Sequence, residues 1–295
     1  MKTYIEFKKQ RELGDIFSDA FAFIRNEYKP LFKTIISIAG PYLLFFLFAL
    51  VFYIYTIGGQ FKFDFTNPES NAGLFSGANA LMFVLAYFVY ISAAILAYVF
   101  TVSTVLHYMK SYEENKSVVN LQEIREQVNR SFWGFLGLTI LKVLTLIVAC
   151  VLCCLPILYF MVPMAVVMPI YVFTKRDATD SYSESYSLIK DEFLMTFLTV
   201  LLFWILVIVL SSIFTLPATI YTYIKMGVFS GEIDPTSLNS IVDPVYIILN
   251  VLSQFFQFLS NIVIVISSVF IYFNLNERKN FTGTFERIES LGKTE

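Results

Sequence analysis

The sequence predicts an all-α integral membrane protein with six transmembrane helices. Three observations lead to this fold class: 57% of the 295 residues are hydrophobic, only 15% are charged, and long uncharged runs separate the charged stretches. A soluble globular chain carries about 25% charged residues. The deficit of charge places this chain among the integral membrane proteins.

Five runs with at most one charge each are long enough to cross a bilayer, which takes about 20 apolar residues. The longest run holds one charge, Lys142, between Arg130 and Lys175. As a single helix it would extend for roughly 66 Å, about twice the thickness of a hydrocarbon core. We expect Pro156 to divide it, because proline removes a backbone donor. The predicted spans are 34–57, 80–106, 133–154, 157–174, 193–216 and 244–274.

The distribution of positive charge predicts the orientation. Lys and Arg number seven before the first predicted span, four in 107–131, three in 175–192 and four after residue 275. The intervening loops 58–79 and 217–243 hold one each. Positively charged loops stay in the cytoplasm. We therefore expect both termini to be cytoplasmic.

A stretch near the start of the chain returns later in the sequence. Residues 15–28 recur as residues 180–193, with Asp, Ser, Ile and Glu at the same four positions. Each copy has the pattern of an amphipathic helix in the membrane interface, followed by a helix pair. Asn120-Leu-Gln-Glu123 resembles a capping box and predicts a third such helix of unrelated sequence. We therefore predict a single membrane domain of three repeat units, at about 11–114, 120–175 and 177–279, with a short cytoplasmic tail at 280–295.

Three prolines carry expectations about helix geometry. Pro30 should bend the chain from the first surface helix into the membrane. Gly40-Pro41 should kink the first span. Pro217 should end the fifth span.

Several short motifs resemble one family. The first is Glu12-Leu-Gly-Asp-Ile-Phe, and the second is Pro169-Ile-Tyr-Val leading into residues 177–189. The third is the closing motif from Tyr272 to Arg278. It contains a Tyr-x4-Glu pattern that also occurs at Tyr108 and Glu113. Together they resemble the six-span membrane-domain family named after the membrane region of some glycerophosphoryl diester phosphodiesterases. The resemblance implies a protein of a bacterial cytoplasmic membrane.

The enzyme activity in that family's name does not follow from the resemblance. The phosphodiesterase chemistry belongs to a separate soluble barrel, and these 295 residues hold no such barrel. The only histidine is His107, and the predicted spans contain no Asp or Glu. That leaves little for metal-assisted hydrolysis. We expect no enzyme activity and no cofactor.

The last predicted span carries a stripe of amides. Asn250, Gln254, Gln257 and Asn261 follow one another at intervals of four, three and four residues, so they share one helical face. The stripe fits a polar path or groove for a solute or a lipid headgroup. It also fits hydrogen bonding between helices.

Other candidate residues also allow two interpretations. Lys142 is a charge within a span, which suggests function, but it is close enough to the interface for its side chain to snorkel. Glu27 and Glu192 break the apolar faces of the two surface helices. They fit either a coupled pair that binds a cation or partner, or separate anions at helix starts. Cys150, Cys153 and Cys154 fit small buried residues better than a metal site.

These features favour a non-enzymatic accessory or scaffold protein. The alternative is a transporter or lipid-handling protein that uses the amide stripe. The expected partners are membrane lipids and, for a scaffold, other membrane proteins. No basic patch in the sequence suggests nucleic acid as a partner.

Overall fold

A computed structural model describes residues 4–60, 77–116, 118–152, 155–228 and 242–291, and in those ranges the chain is helical, without strands. The predicted outer loops lie largely outside these ranges, as do Cys153 and Cys154. The helices are α1 (Leu13–Ile38), α2 (Gly40–Gln60), α3 (Gly77–Glu114), α4 (Leu121–Val151), α5 (Leu155–Thr174), α6 (Ala178–Ile189), α7 (Phe193–Lys225), α8 (Pro244–Asn280) and α9 (Thr282–Leu291).

The protein is an all-α integral membrane protein, as predicted. Helices α2, α3, α4, α5, α7 and α8 are each long and apolar enough to cross a membrane. The three longest, α3, α7 and α8, have 38, 33 and 37 residues. At 1.5 Å per residue, each is roughly 50 Å or longer, so it extends well beyond a ~30 Å hydrocarbon core.

The structure corrects the expectations for Pro30 and Pro217, whereas the first predicted span does break next to Gly40-Pro41, at Ala39. Helix α1 continues through Pro30 to Ile38, and the hydroxyl of Thr34 donates to the Pro30 carbonyl at 2.9 Å. The break comes at Ala39, so Pro41 lies in the first turn of α2, where a missing N–H costs nothing. Helix α7 likewise continues through Pro217 to Lys225.

The middle surface helix and the third span form one continuous helix, α4. Asn120 caps it, since its side chain accepts a hydrogen bond from the Gln122 N–H at 3.1 Å. No break separates its polar beginning from its apolar end. Cys150, near its C-terminus, is exposed, which contradicts the expectation of a buried cysteine.

The chain forms two compact units. Compact unit 1 comprises Met1–Ala39, Val99–Leu206 and Ile262–Glu295, and compact unit 2 comprises Gly40–Tyr98 and Val207–Asn261.

Aromatic contacts join the spans of compact unit 2. Phe214 of α7 stacks on Phe256 of α8 with ring centroids 4.1 Å apart, and the Ser253 hydroxyl donates to the Phe214 carbonyl at 2.8 Å. Asp243 lies immediately before α8 and forms a 3.1 Å ion pair with Lys225 at the end of α7.

Compact unit 1 contains most of the charged residues that the structure buries. In it α4, α5 and α6 pack together. On α1 the buried face includes Ile16, Ala20, Phe23, Glu27 and Leu31, so much of the predicted amphipathic face lies against the protein itself.

Candidate functional site

The densest polar cluster in compact unit 1 forms around Arg11. Its guanidinium donates to the carbonyls of Glu6, Phe7 and Lys9, and it forms a 2.9 Å ion pair with Asp19. The side chain has no exposed area. A planar guanidinium offers five donors in a fixed arrangement, so one buried arginine can fix the fold of a short irregular segment.

Electrostatics around Arg11 favour the charged pair. Burial lowers the pKa of Arg11, and the hydrogen bond with Asp19 opposes that change. Burial alone would raise the pKa of Asp19, but hydrogen bonds from Lys9 and Arg11 bring it below its ordinary value. Both groups of the pair therefore remain ionised at neutral pH.

An aromatic cluster lies beneath this segment. The ring of Phe7 is 5.1–5.8 Å from four other rings, at Phe23, Tyr112, Phe270 and Phe273. The Arg11 guanidinium lies 5.1 Å from the centre of the Phe270 ring, a cation–π distance. The N-terminal segment is thus a packed part of the core.

The C-terminal helix closes over the same segment. Lys8 forms ion pairs with Glu286 at 2.8 Å and Glu113 at 3.0 Å, and Arg287 pairs with Glu6 at 2.8 Å. Burial alone would lower the pKa of Lys8, but its hydrogen bonds with the two glutamates raise it. We call residues 4–11 together with residues 277–287 the terminal clasp.

Glu277 anchors α9 in the terminal clasp. Its carboxylate is buried and accepts hydrogen bonds from the Gly283 N–H at 2.6 Å and from the Thr282 hydroxyl. An anion at a helix N-terminus is stabilised by the unpaired N–H groups there. Glu277 thus caps the helix that follows its own.

The two predicted carboxylates have different partners. Glu27 is buried in the middle of α1 and accepts a 2.7 Å hydrogen bond from the Tyr108 hydroxyl. Glu192 lies immediately before α7 and forms a 3.1 Å ion pair with Arg278. The helix-start interpretation therefore fits Glu192 but is wrong for Glu27, which lies more than three turns into α1.

The amide stripe is only partly covered. Asn250 and Gln254 are half-buried, whereas Gln257 and Asn261 are exposed. Asn250 donates to the Tyr246 carbonyl and Asn261 to the Gln257 carbonyl, each at 2.9 Å within α8. The bond between α7 and α8 comes from the neighbouring Ser253 instead. Whether the stripe lines a path stays a prediction.

Lys142 is half-buried on α4. One turn later, the Thr145 hydroxyl lies 3.0 Å from the Tyr182 hydroxyl of α6. Tyr182 belongs to the second predicted surface helix, so Lys142 lies near the depth that this helix reaches. That placement favours the snorkelling interpretation.

A polar groove of about 480 Å³ lies along α6 in compact unit 1. One wall carries the ion pair of Arg176 with Glu184 at 2.9 Å. At the other side Lys279 donates to the Ser187 carbonyl at 2.7 Å. Asp180 and Ser183 also line the groove and are exposed. The groove presents charges of both signs together with hydroxyl groups.

Metal chemistry finds no support in the described ranges, where no three His, Cys, Asp or Glu side chains are placed to hold an ion. His107 is buried on α3, and its Nδ1 lies 2.8 Å from the Ser103 carbonyl of the preceding turn. The arrangement can fix chain segments and present polar surfaces for binding.

Comparisons with known proteins identify no relative of this chain. No protein-family model matches the chain, and no curated protein or solved structure matches it. The resemblance to the six-span membrane-domain family stays a prediction.

Sequence reasoning did not identify Arg11 or Gly283, but two patterns pointed to this cluster. The Tyr-x4-Glu motif contains Tyr108 and Glu113, and its second copy ends at Glu277. Tyr108 and Glu113 contact distant parts of the chain, and Glu277 caps α9. In addition, Arg11 and Arg176 are separated by the offset of the predicted repeat.

Proposed function

We propose that this chain is a non-enzymatic accessory or scaffold protein of a bacterial cytoplasmic membrane, and that it meets a protein partner along α6. The observation that carries the proposal is the polar groove beside α6, at the end of compact unit 1 that also holds the terminal clasp. Its exposed groups, Asp180 and Ser183, stand beside the ion pair of Arg176 with Glu184 and the hydrogen bond from Lys279 to the Ser187 carbonyl. A preorganised polar surface reduces the entropy lost on binding.

The cluster in compact unit 1 supports binding over catalysis. Arg11, Glu27, Lys8 and Glu277 each have a partner within the chain, and the ion pair of Lys8 with Glu286 joins the N-terminal segment to α9. Side chains held in this way stabilise a surface. A catalytic group must instead reach a reacting atom with a free lone pair or proton.

Co-purification from a mild detergent extract tests this function. A partner should accompany the wild-type protein and be lost from Ser183→Arg, which places a bulky charge in the groove. Asn129→Arg is the matched control, because Asn129 is exposed on α4 and does not line the groove. The control should retain the partner. Equal recovery of the partner with Ser183→Arg and with Asn129→Arg would overturn the proposal that the partner binds along α6.

The second candidate function is lipid or solute handling. It is favoured by the exposure of Gln257 and Asn261 on a membrane-spanning helix, since an amide exposed to hydrocarbon is costly. Reconstitution in liposomes tests it. A flux of lipid or solute that is lost in Gln257→Leu/Asn261→Leu, but kept in Gln257→Asn/Asn261→Gln, would establish this function. A purified protein without such flux would exclude it.

A further inference from the structure

An apolar groove of about 550 Å³ lies along the last three turns of α1. Tyr28, Phe32 and Ile36 are spaced four residues apart, so they form one row, and all three are exposed. Lys29 and Lys33 form the adjacent row with Ser37. The groove surface is therefore apolar: the three exposed apolar side chains and the aliphatic parts of the two lysines line it.

Positive charge is concentrated around this groove. Arg25 precedes Lys29 by one turn, and Arg125 of α4 reaches the far end, where it donates to the carbonyl and the hydroxyl of Ser37, each at 3.2 Å. In the described ranges Lys29, Lys33 and Arg125 form no ion pair. Like charges four residues apart on a helix repel each other. An anion placed between them would remove that repulsion.

The position of the groove specifies which kind of anion. Helix α1 ends at Ile38, and the first membrane-spanning helix begins at Gly40. The groove thus ends within about one turn of the span, where lipid headgroups and acyl chains meet. An apolar surface with cations beside it, which precedes a membrane span in the chain, complements an anionic phospholipid.

The second copy of the repeated sequence lacks these charges. At the offset of the repeat, Lys29 and Lys33 correspond to Leu194 and Leu198. Residues 193–225 form one membrane-spanning helix that begins at once, with no additional turns before it. The first copy thus has lysines at two positions of α1 that precede the membrane span α2. The second copy has leucines at the equivalent positions, which lie within the membrane span α7.

We propose that this groove binds one anionic phospholipid, with its phosphate among Lys29, Lys33 and Arg125 and an acyl chain along Tyr28, Phe32 and Ile36. Arg125 is already oriented by its bonds to Ser37, so little entropy is lost when it meets a phosphate. The inference concerns α1 and does not depend on the function proposed for α6.

Lipid retention tests the site. The purified protein is placed in nanodiscs of phosphatidylcholine with a small fraction of phosphatidylglycerol, and bound lipid is measured by native mass spectrometry. Lys29→Gln/Lys33→Gln should lower the affinity for phosphatidylglycerol roughly ten- to thirty-fold. Both lysines are exposed, so the fold should survive the substitutions. The control Lys175→Gln/Lys190→Gln removes two other exposed charges from compact unit 1 and should bind as the wild type does.

Competition distinguishes a lipid from a free anion. Inorganic phosphate in millimolar excess, and a short-chain phosphatidylglycerol, should displace the long-chain lipid weakly or not at all, because neither fills the apolar row. Equal retention by Lys29→Gln/Lys33→Gln and wild type would overturn the proposal. Displacement by inorganic phosphate as efficient as by lipid would also overturn it, because the apolar groove would then contribute nothing.

Discussion

Arg11 and Arg176 each form a 2.9 Å ion pair with the acidic residue eight positions later, Asp19 and Glu184 respectively. The two arginines are 165 positions apart, the same offset that separates residues 15–28 from residues 180–193. Their surroundings differ, because Arg11 is fully buried while Arg176 is 54% exposed. The correspondence supports the proposed duplication. It also implies that one pair organises a core while the other forms a groove wall.

Removing these arginines should therefore have unequal effects. Arg11→Ala should lower the free energy of unfolding by about 3–5 kcal/mol, because three carbonyls and Asp19 lose a buried donor. Arg176→Ala should cost under about 1 kcal/mol, since exposed pairs contribute little. Thermal unfolding of both variants in one detergent compares them. Equal shifts in the unfolding temperature would contradict the different roles.

Tyr108 should stabilise compact unit 1 through its hydroxyl. Tyr108→Phe removes the 2.7 Å hydrogen bond to buried Glu27 and should cost about 1.5–3 kcal/mol, the range for a bond to a charged group. A double-mutant cycle with Glu27→Gln isolates the interaction. Glu192→Gln is the comparison, because Glu192 is 34% exposed and should cost under about 1 kcal/mol. Additive effects of Tyr108→Phe and Glu27→Gln would exclude the coupling.

Asp243 should titrate at unusually low pH. Hydrogen bonds from the Tyr221 hydroxyl and the Tyr246 N–H hold the pKa of its carboxyl at about 2. Because the folded-state pKa is depressed, the stabilisation is fully present above the ordinary value of about 3.9 and disappears as the pH falls through about 2. Difference infrared spectroscopy of wild type against Asp243→Asn measures the titration. A midpoint near 4 would show that these hydrogen bonds do not form.

Much of the architecture followed from composition and charge. Runs without charge identify membrane helices because hydrocarbon excludes unpaired charges. The predicted count of six spans is confirmed, since six helices are long and apolar enough to cross a membrane. Helix bounds were less accurate. Sequence reasoning ended or bent helices at Pro30 and Pro217, but each helix continues through the proline. Within or beside a bundle, neighbouring groups can satisfy a carbonyl that proline leaves free.

The buried cluster was mostly beyond sequence reasoning. The Arg11 contact with Asn274 and the Lys8 contact with Glu286 join residues more than 260 positions apart. The local sequence pattern cannot reveal which distant carboxylate a lysine will meet, or which distant amide will accept a hydrogen bond from a backbone N–H. Residues 280–295 were expected to form a tail, yet α9 occupies most of that stretch. Its short, polar sequence gave no sign that α9 would pack on the N-terminal segment.

Gly283 should be required for closure of the terminal clasp. A Cβ at this position would lie 2.5 Å from the Lys8 carbonyl oxygen and 2.7 Å from the Lys8 Cβ, too close for either to remain. Gly283→Ala should therefore displace α9 and cost about 1–3 kcal/mol. Trypsin should then cleave after Arg287 faster, because the ion pair with Glu6 no longer protects it.

Gly14→Ala is the matched control: no atom lies within 4 Å of its Cβ position, and alanine in a helix should stabilise by about 0.5–1 kcal/mol. Wild-type cleavage of Gly283→Ala would mean that α9 closes over the N-terminal segment without this contact.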